Sequence, residues 1–170
     1  MGRTGVGSVD SFTLFHTALS LLAIAAGAAA VAAILRNRVS RLWTQAFLIL
    51  AIATSVTGFF FPFKGVTPAQ VVGVIALLIL AFVLLAAYQF DQARSWRWIY
   101  AMGLVASLYL LVFVGIVQAF EKIAVLKGLA PTGTELPVAL AQCAALLLFV
   151  ALGIAAARRY QPGAVRVVQN

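Results

Sequence analysis

This chain has little of most things that chemistry at a protein site requires. One cysteine, Cys143, stands among 170 residues, so neither an internal disulfide framework nor a thiolate metal cage can form. A single histidine, His16, leaves no pair of imidazoles within one chain to hold a haem. Charged residues make up 9% of the sequence, where a soluble domain carries roughly a quarter. Only Asp10, Asp91, Glu121 and Glu135 are acidic. Lysine is confined to Lys64, Lys122 and Lys127, none inside a long apolar run, which sets retinal-type Schiff-base chemistry aside. No second domain, low-complexity tract or internal repeat interrupts the chain.

What is present is apolar surface. The chain is 64% hydrophobic, with a mean hydropathy of +1.08. Five stretches, residues 12–35, 42–62, 69–90, 98–120 and 137–157, account for most of it. A helix rises about 1.5 Å per residue, so about 20 apolar residues cross a hydrocarbon core of about 30 Å. The expected fold is all-α: one transmembrane domain over residues 1–170, a polytopic helix bundle of five spans. Arg3, the first apolar run and the small residues 28–33 also resemble a signal peptide, which would leave four spans after cleavage. The length of that run and the basic cluster behind it favour a retained first helix.

The formal charge of +8 does not point to nucleic acid, because the basic residues sit at the ends of apolar runs. With five spans, Arg36, Arg38, Arg41, Arg94, Arg97, Arg158, Arg159 and Arg166 fall on one side, and Arg3, Lys64, Lys122 and Lys127 on the other. The positive-inside rule then predicts an outside N-terminus and a cytoplasmic C-terminus. Trp43, Trp96, Trp98 and Tyr100 lie beside the arginine clusters and read as an aromatic belt on that face. Thr67-Pro68-Ala69-Gln70 has the form of a capping box with proline at the first helical position. Ser40, Ser95 and Thr134 stand where the caps of the second, fourth and fifth spans are expected.

Counting residues from the cytoplasmic flank places the polar side chains in depth. His16 and Gln118 come out about 30 Å up, with Glu121 beyond them. Thr57 and Gln142 fall in the outer third, and Gln70 near the outer surface. The midplane retains Thr54, Ser55, Ser107 and Tyr109, none charged at neutral pH. Proton pumps and ion-coupled transporters place ionisable groups deep in the bundle, and the odd span number argues against inverted repeats. Met102 lies near the cytoplasmic flank and His16 near the outer face, so the two cannot ligate one iron. His16, Thr57, Gln118, Glu121 and Gln142 are candidate ligand-binding residues for a quinone or haem near the outer face. The same residues equally suit interhelical ties. No cofactor is required by the sequence.

Small residues suggest how the helices assemble. His16, Ser20, Ala23, Gly27 and Ala30 form a helical stripe along the first span, and the fifth offers Ala141, Ala144, Ala145, Ala151, Gly153 and Ala155. Such stripes let another backbone approach closely. The expectation is that the first and fifth spans pack against protein, within this chain or in a homo-oligomer or larger membrane complex, while the third faces lipid. The link 121–136 is too apolar for an ordinary aqueous loop. Its first half can continue the fourth span, and its second half can return over the outer ends of the bundle as a lid.

Residues 54–63 (TSVTGFFFPF), 108–120 (LYLLVFVGIVQAF) and the return 129–137 resemble segments of small bacterial inner-membrane proteins of unassigned activity. The resemblance implies a bacterial plasma membrane and a bundle fold, and brings no catalytic residue with it. The leading expectation is an accessory or assembly subunit acting through helix–helix association in the bilayer. The alternative is a redox or lipophilic-ligand protein with its site near the outer face.

Overall fold

Among the described residues the protein forms six α-helices: α1 (Val6–Leu35), α2 (Arg41–Gly58), α3 (Pro68–Leu84), α4 (Trp96–Lys122), α5 (Ala124–Leu129) and α6 (Leu136–Arg159). The computed structural model describes residues 6–61, 65, 67–90 and 95–161, with side chains from residue 11 onward. Arg3, Lys64, Arg94, Arg166 and the expected end of the second span at Pro62 lie outside the described residues. Among the described residues four helices are long and apolar enough to cross a membrane: Ser11–Leu35, Pro68–Gln89, Trp96–Lys122 and Leu136–Arg159.

Local chemistry sets most boundaries. The α1 terminus closes as a Schellman motif: the Arg38 N–H donates to the Ala33 carbonyl at 2.9 Å and the Asn37 N–H to that of Ile34 at 2.9 Å. Asn37 takes the left-handed conformation this motif needs, with φ 51°. Ser40 caps α2 by accepting the Trp43 N–H at 3.5 Å. The α3 capping box is complete, with the Gln70 N–H on Thr67 Oγ1 at 3.3 Å and the Thr67 N–H on Gln70 Oε1 at 3.0 Å. Beyond Leu84 the chain widens into a π turn, Leu85–Gln89, before Phe90 stacks on Trp96 with ring centroids 3.9 Å apart.

Two expected caps are corrected. Ser95 precedes α4 but its own backbone is helical and its side chain makes no capping bond. Glu135, rather than Thr134, stands at the N-cap of α6, with Pro137 in the first turn as expected. The fourth span does not continue smoothly into the link either. Ile123 turns extended, with φ −86° and ψ 116°, and separates α4 from the short α5.

The long helices alternate in direction. His16 near the start of α1 meets Thr57 near the end of α2, and Phe59 lies beside Gly73 early in α3. Val83 late in α3 lies against Gly103 early in α4. Tyr100, near the start of α4, and Tyr160, just past α6, share a buried contact with centroids 5.5 Å apart. The C-terminal ends of α6 and α1 are joined by Arg159 Nη1 donating to the Leu35 carbonyl at 3.4 Å and the Gln161 N–H to Asn37 Oδ1 at 3.1 Å. The described arginines Arg36, Arg38, Arg41, Arg97, Arg158 and Arg159 therefore gather at one end, and Lys122 and Lys127 at the other.

α4 is the central helix, packed against α1, α3 and α6, and the main core draws on all five long helices, with α1 lying along both α2 and α4. Ala23, Gly27 and Ala30 are all buried there and Ser20 is half-buried. At Gly27 an added Cβ would come within 2.7 Å of the Phe47 ring and 2.8 Å of Leu108. The α1 stripe is thus consumed by this chain's own helices. The α6 small residues divide: Gly153 is buried and Ala141, Ala145 and Ala155 are half-buried, whereas Ala144 and Ala151 are exposed, and α6 is the least buried of the four membrane-length helices. Leu140, Leu147 and Ile154 project from the same side. α3 exposes Val71, Val74, Ile75, Leu78 and Phe82, as a lipid-facing helix does. Tyr100 is also corrected, since at 2% exposure it is core and no part of a surface belt, while Trp43 and Trp98 are exposed.

A second, smaller core forms from Phe120, Ala130 and Val138, with Ile116, Leu126 and Ala141 packed on it. It seats the link at the α4–α6 side of the bundle end, so the link is no lid across α1 and α2. Ile123, Val125, Leu129 and Leu136 remain exposed, an apolar fringe suited to the membrane interface.

Candidate functional site at the end of the bundle

The end opposite the arginines holds the polar side chains that sequence depth-counting groups together. α1 is helical throughout this region, so His16 is carried four residues inside the apolar run that begins at Phe12. Thr57 stands one residue before the end of α2, and Lys122 is the last residue of α4. The α1 segment around His16 and the ends of α2 and α4 therefore meet at one place.

His16 Nδ1 lies 2.9 Å from Thr57 Oγ1. The Thr57 hydroxyl also lies 2.7 Å from the Ala53 carbonyl and 3.1 Å from that of Thr54. A hydroxyl carries one proton, and carbonyl oxygens cannot donate. Thr57 therefore donates back along its own helix and accepts from His16. The Ser20 hydroxyl donates to the His16 carbonyl at 2.8 Å. The Phe61 ring meets the imidazole edge-on, with centroids 5.1 Å apart and planes at 90°, and Phe12 packs on Phe61 at 4.9 Å. The imidazole Cε1 lies 3.6 Å from where a Cβ on Gly58 would be. The Lys122 ammonium is within electrostatic reach of the imidazole.

The other candidates divide. Gln118 Nε2 donates to Glu121 Oε2 at 3.2 Å, the i and i+3 pairing expected of one helix face. Gln142 donates from Nε2 to the Phe113 carbonyl at 3.0 Å and so ties α6 to α4. It serves a different interface from the His16–Thr57 pair. Its Oε1, with Thr54 Oγ1 and Ser107 Oγ, is buried with no hydrogen-bond partner among the described residues. No cluster of three or more His, Cys, Asp or Glu able to hold a metal ion occurs among the described residues.

Sequence reasoning missed three members of this end: Phe12, Phe61 and Lys122. The signal was available for one: Phe12 stands four residues before His16 on α1, the spacing at which helix side chains become neighbours. Phe61 lies past the end of α2, and its place required the tertiary structure. Lys122 required the packing of α4 on α1. At the same end, Glu135 folds the link: Oε1 accepts from the Thr132 N–H at 2.8 Å and hydroxyl at 2.9 Å, and Oε2 from the Thr134 N–H at 3.0 Å. The Thr132 backbone N–H above all holds this carboxyl below the ordinary carboxylate range.

Comparison with known proteins finds no matching family model, no matching curated relative and no matching solved structure. The chain is, on its own geometry, a multi-pass membrane protein with four helices of membrane-crossing length and composition.

Proposed function

We propose that this protein is an assembly subunit of the membrane, associating with a second copy or with another membrane protein through the exposed side of α6. One observation carries the reading: the α6 positions 140, 147 and 154 repeat every seven residues as exposed Leu, Leu and Ile, with exposed Ala144 and Ala151 between them. Lipid tails are as apolar as leucine, so association in a bilayer depends on close backbone approach at small residues flanked by complementary large ones. The buried α1 stripe is spent on internal packing. α1 also exposes Leu14, Ala18, Leu21 and Ala25 at the same spacing, and α6 is preferred because it is the less buried of the two helices.

In this reading α2 is a fifth crossing. Its 18 residues span about 27 Å, and it lies antiparallel along α1. α1 finishes at the arginine-rich end and α3 begins at the opposite one, so α2 is the segment that carries the chain across. The arginine-rich end is read as cytoplasmic. Light scattering in mild detergent, alongside crosslinking in native membranes, tests the assembly. A dimer or larger particle, or a crosslinked partner, supports it, whereas a monomer without partner in both measurements removes it.

A second reading is favoured by the His16–Thr57 pair, which leaves one imidazole nitrogen uncommitted beside an aromatic wall at the lipid boundary. The protein would then bind a lipophilic ligand. An absorption spectrum and mass spectrometry of extracted lipids test this, with enriched quinone or haem in favour and bulk phospholipid alone against.

A further inference from the structure

We infer that His16 is locked as the Nδ1–H tautomer and that its Nε2 lone pair is the acceptor of a site for the hydroxyl of a lipophilic hydroquinone. The inference rests on the ligand reading above and names the ligand's chemical class.

The lock follows from proton counting. Thr57 spends its single proton on the carbonyls of Ala53 and Thr54, so the nitrogen 2.9 Å from its oxygen must be the donor. A neutral imidazole has one N–H, so Nε2 is left as an acceptor. Nε2 has no hydrogen-bond partner among the described residues, although His16 is half-buried. An acceptor in that setting selects ligands that donate.

The surroundings narrow the class. Phe61 flanks the imidazole edge-on and is itself backed by Phe12, an aromatic setting that suits a ring-bearing ligand. His16 lies about 6 Å inside the apolar run that begins at Phe12, a depth that an amphiphile dissolved in the bilayer reaches sideways. Lys122 adds positive potential, which favours a hydroxyl able to share its proton and accumulate negative charge. Phenolic hydroxyls ionise near pH 10 and donate more strongly than aliphatic ones. The oxidised quinone offers only carbonyl acceptors, and two acceptors facing each other repel. The site therefore distinguishes reduced from oxidised ligand. No group of three or more His, Cys, Asp or Glu able to hold a metal ion occurs among the described residues, so the imidazole suits a hydroxyl better than a metal ion.

Because His16 is the only histidine, ring-nitrogen labelling with [15N]histidine gives a single imidazole to observe. In nanodiscs of zwitterionic lipid, NMR should show a protonated Nδ1 and an unprotonated Nε2. Adding decyl-benzohydroquinone should move the Nε2 resonance saturably, while the matching decyl-benzoquinone leaves it unmoved. Thr57→Val should mix the tautomers and weaken hydroquinone binding about tenfold, and Thr57→Ser should restore both. A protonated Nε2 in the unliganded protein overturns the lock while leaving the broader ligand reading to its own spectrum and lipid assay. The expected tautomer with no response to any probe overturns both. An equal response to quinone and hydroquinone, a response to phosphatidylglycerol alone, or co-purified haem overturns the hydroquinone assignment.

Discussion

Single atoms decide how closely α1, α2 and α4 approach. Gly27 sits where the Phe47 ring and Leu108 close on the α1 backbone, and Phe47 is fully buried, so its ring has nowhere to retreat. Gly27→Ala is expected to destabilise the bundle by about 1–3 kcal/mol, read as a lower melting temperature in mild detergent. Gly115 provides the internal comparison, because a Cβ there would meet Ile24 at an ordinary 3.8 Å. Gly115→Ala should melt as the wild type does, and an equal loss in both variants would mean that helix flexibility, not contact, is being measured. Asn37 does two jobs at one position: its backbone adopts the left-handed conformation and its Oδ1 accepts from Gln161. Asn37→Gly keeps the first and loses the second, at about 1 kcal/mol. Asn37→Ala loses both, adding a further cost of about 1 kcal/mol for a Cβ in that conformation. The expected order of thermal stability is wild type, then Gly, then Ala.

At the scale of elements, the α4–α6 link and the outer side of α6 make separate predictions. The link is folded around a carboxylate. Glu135 has its pKa depressed by the Thr132 N–H, so its stabilisation is present above the ordinary carboxylate pKa and is lost as pH falls through the lower, folded value. The Thr132 amide resonance should hold its position down through the ordinary carboxylate range and move only below it. Glu135→Gln should abolish that transition, and a transition at or above the ordinary range would contradict the hydrogen bonding seen here. The α6 side is tested by size. Ala144→Leu with Ala151→Leu fills the two small positions that a partner backbone would approach, and both are exposed in the single chain. The double variant should lower the crosslinked fraction while leaving the melting temperature of the single chain within about 0.5 kcal/mol of wild type. Unchanged crosslinking would move the association surface away from α6.

For the whole molecule, topology is the property on which the rest depends. With the arginine-rich end in the cytoplasm, Ser95→Cys and Gln161→Cys, built on Cys143→Ala, should resist a membrane-impermeant maleimide in intact cells. Gly128→Cys should react. Ser95 makes no capping bond, and nothing lies within 4 Å of a Cβ at Gly128, so these substitutions leave the fold alone. Reaction at Gln161 from outside would invert the protein or remove one crossing, and would place His16 on the cytoplasmic face.

The sequence by itself determined an all-helical chain and the place and order of the four helices long and apolar enough to cross a membrane, because hydropathy over about 20 residues is a local property that no neighbour can cancel. Capping chemistry was legible for the same reason at Ser40 and in the Thr67–Gln70 box, where both partners lie within one turn. It misled at Thr134, where Glu135 turns its carboxylate back to the Thr132 and Thr134 amides and itself takes the N-cap position. Burial was not legible, because an alanine reads alike whether it meets a helix or a lipid tail. Ala23 and Ala30 proved to be core while Ala144 and Ala151 proved to be surface, and Tyr100 turned inward although its neighbour Trp98 faces out. Only the tertiary structure could decide these, since each depends on which helix stands opposite. The candidate site divides in the same way: depth-counting grouped His16 with Thr57 at one end of the bundle, but the proton inventory that orients the imidazole needed three distances between atoms on two helices.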